Sequence, residues 1–132
     1  MDYFNLNTER DQLLGVSTLG LAHIGDAVFE LMVRSWLVLH GKATNRGLHR
    51  ATVGYVAAPA QAAMAEKILP VLTEEEADIF RRGRNTSPHS VPKAASRSQY
   101  QTATAVEALF GWLWLKGQKD RLNELFGLMM EG

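Results

Sequence analysis

Apolar positions along this chain recur at intervals of three and four residues and do not alternate over any useful length, a pattern that predicts helices and no sheet. The first long periodic segment covers about 17–40. Ser17 or Thr18 is placed to cap its start and Gly41 to end it. Ile24, Val28, Leu31, Ser35 and Leu39 fall on one helical stripe, and Ala27, Leu31, Arg34 and Val38 on another. So much apolar circumference predicts a central helix with neighbours on more than one side. The polar break GKATNRG follows, and then an alanine-rich stretch whose better-defined part is 59–69. Pro59 suits a first helical turn, and Pro70 is a stop.

Thr73 with Glu76 makes a capping box for the next helix, and Gly83 with Asn85 is placed to end it. Acids open this segment and arginines close it, which complements the helix dipole. Residues 85–99, NTSPHSVPKAASRSQ, show no apolar period and read as a long loop, and such loops are more often functional than connective. The helical period returns from about 101 in TATAVEALFGWLWL, breaks at KGQKD and resumes in RLNELFGLMM. The predicted fold is all-α, a single domain over 1–132 with five to seven helices.

Composition narrows the function classes. The 132 residues include no cysteine, which excludes disulfides, thiolate metal sites and a cysteine nucleophile. The start, MDYFNLNTERDQ, lacks the basic and apolar regions of a signal peptide, and no run approaches the length of a membrane span. A cytoplasmic protein with no membrane association is the expectation. Fourteen Lys plus Arg balance fourteen Asp plus Glu, so net charge alone argues against a strongly basic nucleic-acid binder. Local distribution argues otherwise. Arg81, Arg82, Arg84, Lys93 and Arg97 lie with His89 in a stretch that has no acid, just after the acidic TEEEAD at 73–78. Taken alone the cluster reads either as a solvated face or as a field that steers a polyanion.

Two acids stand out because their surroundings are apolar. In LAHIGDAVFEL, 21–31, Asp26 sits deep in an apolar run, and in TAVEALFGWLWL Glu107 does the same 81 positions later. A lone buried carboxylate is costly. Each acid either lies at a helix surface or against an arginine, or the two helices pack together and the acids converge. Convergent carboxylates repel unless they share a proton or hold a cation, and Mg²⁺ is often bound by one or two carboxylates with water and phosphate. Spacing along the chain does not choose between these.

The residues themselves carry a resemblance. LAHIGDAVFEL resembles the active-site helix of the ribonuclease III family, with its Gly-Asp pair in an apolar helix, and TAVEALFGWLWL resembles that family's second acidic helix. RRGRN at 81–85, Pro92–Lys93 and Tyr100 are similar to the Mini-III branch, which has the catalytic domain without a double-stranded-RNA-binding domain. The resemblance implies a Mg²⁺-dependent endoribonuclease that cuts double-stranded RNA as a homodimer and matures the 5′ and 3′ ends of the bacterial 23S ribosomal RNA precursor. It implies Asp26 and Glu107 as catalytic metal ligands. Larger family members carry further acids at the positions of Ala22 and Thr104, so here the number of metal ions is open. Glu30, one turn beyond Asp26, and Thr104 are read as supporting residues around the metal. With duplex RNA as substrate, Arg81, Arg82, Arg84, Lys93 and Arg97 become the RNA-binding candidates. A catalytically silent, dimeric RNA-binding member is the alternative.

The other chemistry-bearing residues form no pattern. His23, His40, His49 and His89 lack a common ligand spacing. Trp36, Trp112 and Trp114 are expected in the core or at a dimer interface.

Overall fold

The structure is a computed structural model that describes residues 1–41, 44–86 and 95–131. Among these are seven α-helices and no strand: α1 Arg10–Leu14, α2 Thr18–His40, α3 Leu48–Val56, α4 Ala58–Ala65, α5 Glu74–Arg84, α6 Arg97–Leu115 and α7 Lys119–Glu131, with a 3₁₀ turn at Leu69–Val71 before α5. No described helix is long and apolar enough to cross a membrane.

Helix ends follow local chemistry closely. The Ser17 hydroxyl accepts from the Gly20 amide at 3.0 Å to start α2, and Gly41 closes it in the left-handed conformation at φ 59°. Thr73 and Glu76 form the expected capping box on α5, with bonds of 3.2 and 2.8 Å. A second box, between Ser96 and Gln99, starts α6. Arg97 therefore stands in the first turn of a helix and not in a loop, and α6 begins four residues earlier than periodicity indicated. The alanine-rich stretch divides at Ala57, whose extended backbone (ψ 146°) separates α3 from α4. Gly83 is not the terminator of α5. It lies inside the last turn, and Asn85 is the cap.

The hub is α6 rather than α2. Helices α2, α4, α5 and α7 all pack on α6, and its Ala105, Val106, Ala108, Leu109, Phe110 and Leu113 are fully buried. Phe29 of α2 meets Phe110 of α6 and Phe126 of α7 edge-on, at 5.5 and 6.0 Å between ring centroids. By contrast, Leu31, Val38 and Leu39 of α2 are exposed, at 54%, 63% and 82%, so the apolar circumference of that helix is only partly covered within the chain. Trp112 is in the core, while Trp36 and Trp114 pack partly buried against it.

Backbone contact fixes the α2–α6 crossing. A Cβ on Gly25 would fall 1.5 Å from the Glu107 carbonyl oxygen, and one on Gly111 would fall 1.9 Å from the Leu21 carbonyl oxygen. Only residues without a Cβ at these two positions allow the helices to lie this close. On another side of α6, a Cβ on Gly83 would lie 2.8 Å from Ala105 Cα, which seats the end of α5 against Ala105 and Ala108 of that helix. The far end of the bundle is tied by Arg121, which forks onto Glu76 at 2.9 and 2.8 Å and donates to the Val71 carbonyl at 2.7 Å. Burial works to raise the Glu76 carboxyl, but the bonds from Arg121 and Thr73 outweigh it and hold the group below the ordinary carboxylate range.

Candidate active site

Asp26 follows the contact glycine of α2, and Glu107 is the α6 residue whose carbonyl meets that glycine. The close crossing therefore brings two carboxyl groups together from positions 81 apart in the chain. Both alternatives left open by the sequence hold in part, for the acids converge and one of them lies at a helix surface. Asp26 is exposed, whereas Glu107 is half-buried. An apolar helix still has an outer face, and Asp26 lies on it at the edge of the crossing.

The Glu107 carboxyl is pushed up to about 8. Burial is the main cause, followed by the charge of Asp26 and a hydrogen bond shared with it, while a hydrogen bond from Gln61 works in the opposite direction. Gln61, 1% exposed in α4, directs its Nε2 to Glu107 Oε2 at 3.5 Å and to the Val56 carbonyl oxygen at 2.7 Å. Two carboxylates with this mutual repulsion form an oxygen donor set suited to a hard divalent cation such as Mg²⁺. Among the described residues no cluster of three or more His, Asp or Glu could hold a metal. A metal held at this place would have only this pair as carboxylate ligands among the described residues.

The supporting residues expected from sequence have other contacts. Glu30 forms an ion pair with Arg34 at 2.8 Å, along its own helix. The Thr104 hydroxyl donates to the Tyr100 carbonyl oxygen at 3.0 Å. Ala22 is buried in the core, and His23 is exposed. Of the basic candidates, Arg81, Arg82 and Arg84 close α5 and are exposed, and Arg97 is exposed at the start of α6. Asp78 pairs with Arg81 and, at 4.0 Å, with Arg82. Lys93 and the 87–94 portion of the expected loop lie outside the described residues.

The ribonuclease III domain family matches residues 19–118, a span that includes both acids, Gln61 and the α5 arginines. The chain belongs to the ribonuclease III family. Its relatives are of the Mini-ribonuclease 3 branch. The Mini-ribonuclease 3 of Symbiobacterium thermophilum is 45% identical over 112 residues, covering 85% of this chain and 86% of that one. That of a Thermoanaerobacter species is 41% identical over 128 residues, covering 95% and 90%. A crystal structure of a Fusobacterium nucleatum protein superposes with a TM-score of 0.81 at 28% identity, over 89% of this chain and 96% of that one. The all-α reading and the family both follow from these findings, and a ribonuclease III domain makes the chain an endoribonuclease.

Within this ribonuclease III domain, Gln61 is the site residue that sequence reasoning missed. A signal was available in AAPAQAAMAEKIL. Gln61 is a long polar side chain three, four and seven residues before Met64, Ala65 and Ile68, all buried, so the helical period places an amide on the core face.

Proposed function

We propose that the protein is a Mg²⁺-dependent endoribonuclease of double-stranded RNA, working in the cytoplasm as a homodimer on the 23S ribosomal RNA precursor. The convergence of Asp26 and Glu107 at the α2–α6 crossing carries this reading. In it the two carboxylates would hold the ion, Asp26 from the exposed edge and Glu107 from the half-buried side. The chemistry a divalent ion supplies is activation of water and neutralisation of charge developing on phosphate. A silent RNA-binding member would fold more easily without Glu107, because burial and Asp26 both act against its ionisation.

A homodimer accounts for the exposed Leu31, Val38 and Leu39, which share a face of α2, and for exposed Val53 on α3. The deciding experiment is incubation with a structured RNA duplex, with and without Mg²⁺. Cutting of duplex, and not of single strands, is expected only when the ion is added. Absence of Mg²⁺-dependent cutting on several duplexes would sink the proposal.

The grip on RNA is assigned to Arg81, Arg82 and Arg84 at the end of α5, with Arg97 and Lys93. Duplex RNA is recognised mainly by shape and by bonds to phosphate and 2′-hydroxyls, which suits exposed guanidinium groups. Asp78 now holds two of them, and a phosphate would compete with that carboxylate. Changing Arg81, Arg82 and Arg84 to glutamate should weaken duplex binding and lower its log–log salt dependence by about one for each phosphate no longer neutralised. Filter binding at several salt concentrations checks this. An unchanged slope would place the grip elsewhere.

A further inference from the structure

We infer that Gln61 is a positioning residue for Glu107, an amide anchored to the backbone of the α3–α4 junction that sets where the Glu107 carboxylate stands. The inference rests on the reading of Asp26 and Glu107 as metal ligands. Three observations carry it. First, Gln61 is buried to 1% exposure in a helix whose other inward residues are apolar. Second, its Nε2 has two acceptors, the Val56 carbonyl oxygen at 2.7 Å and Glu107 Oε2 at 3.5 Å. Third, its Oε1 is buried with no hydrogen-bond partner among the described residues.

The Val56 bond decides which way the amide faces. Turning it over would set Oε1 against a carbonyl oxygen, acceptor to acceptor, so the NH₂ must face Val56. One of its hydrogens serves that carbonyl and the other is left for Glu107. This orientation strands Oε1, and an unsatisfied buried acceptor costs about 1–3 kcal/mol. A methionine of similar volume would fill the same space without that cost. Core packing therefore gives no reason for an amide here, whereas the donor it presents to Glu107 does.

A chain of bonds follows. The extended backbone at Ala57 breaks α3 from α4 and leaves the Val56 carbonyl oxygen for Gln61 to bond. The carbonyl holds the amide, and the amide faces Glu107 Oε2. The 3.5 Å separation is long for a hydrogen bond, and bonds of this kind often shorten when a site is filled. Residues that orient a metal ligand this way typically change metal affinity or activity by about 10–100-fold when removed.

The test is Gln61→Met, assayed as the full chain. Thermal unfolding establishes that it folds, and calorimetric titration with Mn²⁺ alone, without RNA, reads the site directly. The expected result is a folded protein whose Mn²⁺ affinity falls by about 10–100-fold. With duplex RNA, kcat should fall while KM stays within roughly twofold, because the amide acts on the ligand and not on the substrate. A folded Gln61→Met with unchanged Mn²⁺ affinity would overturn the inference. If Gln61→Met does not fold, Gln61→Leu is measured in its place. Failure of both to fold would also overturn it, by making Gln61 a structural residue. Glu107→Gln in parallel separates this inference from the reading beneath it. If that variant keeps Mn²⁺ binding and cleavage, the metal-site reading fails. If it loses both while Gln61→Met loses neither, only the role of Gln61 fails.

Discussion

Gly25→Ala is expected to lower the melting temperature by roughly 10 °C and to remove most activity in whatever protein remains folded. The added methyl group would stand 1.5 Å from the Glu107 carbonyl oxygen, 2.5 Å from its carbonyl carbon and 2.8 Å from the Gly111 nitrogen. All three are backbone atoms of a buried helix, so no side-chain rotation relieves the clash. Overpacking of cores costs about 1–3 kcal/mol, and a clash with backbone belongs at or above the upper end. For a domain of this size that is on the order of 10 °C in melting temperature. Activity should fall beyond what unfolding explains, since prying α2 from α6 separates Asp26 from Glu107. Gly127→Ala is the matched control. That glycine is also inside a helix, α7, but has nothing within 4 Å of a built Cβ. There alanine should be neutral or stabilising by up to about 1 kcal/mol, because glycine is a poor helix former. Equal melting temperatures for Gly25→Ala and wild type would refute the account of the crossing.

Glu107→Gln should abolish cleavage and yet make the metal-free protein more stable near pH 8. The loss of activity follows from losing a charged ligand, and a decrease of at least about 10²–10³ is the scale for one preorganised charge-stabilising group. The gain in stability follows from linkage. Glu107 has an ordinary value of 4.5 and sits at about 8 when folded. Below the ordinary value both folded and unfolded chains hold the proton, and the contribution of the group is fully present. Between 4.5 and about 8 the unfolded chain has released its proton while the native chain keeps it. Stability is therefore lost as pH rises through this window, and the full cost applies above it. One pKa unit corresponds to about 1.4 kcal/mol, so the loss amounts to a few kcal/mol at most, less any screening by water at the half-buried carboxyl. Glutamine cannot ionise. Its Oε1 can accept from Gln61 and its Nε2 can donate to Asp26, so both neighbours stay satisfied. Chemical denaturation at pH 5 and pH 8 checks this. The wild type should lose stability between the two and the variant should lose less. A variant with the same pH dependence as wild type would show that Glu107 is not held protonated.

These outcomes bear on what each kind of residue discloses about itself. Ser17, Thr73 and Gly41 could be read as helix ends because capping depends on atoms three or four residues apart. The Ala57 break was legible only from its far side, through Pro59 in the first turn of α4. Nothing in YVAAPAQ except the proline opposes continuing the helix, and Pro59 is acceptable in a first turn. Helix α1, only five residues long, is too short to display a period. Gly83 with Asn85 marked the end of α5, but that the missing side chain of Gly83 serves the approach of Ala105 from another helix is a tertiary fact.

The sequence by itself determined that the chain is helical, where most of its helices start and stop, and which two acids are out of place. Those are local properties, set by period, caps and composition within one or two turns. The tertiary structure decided that Asp26 and Glu107 meet, that Asp26 is exposed while Glu107 is half-buried, and that Gln61 belongs with them. Each of those outcomes depends on the distance between helices far apart in the chain. That distance is set by two missing side chains, at Gly25 and Gly111, whose meaning exists only once the helices are in contact.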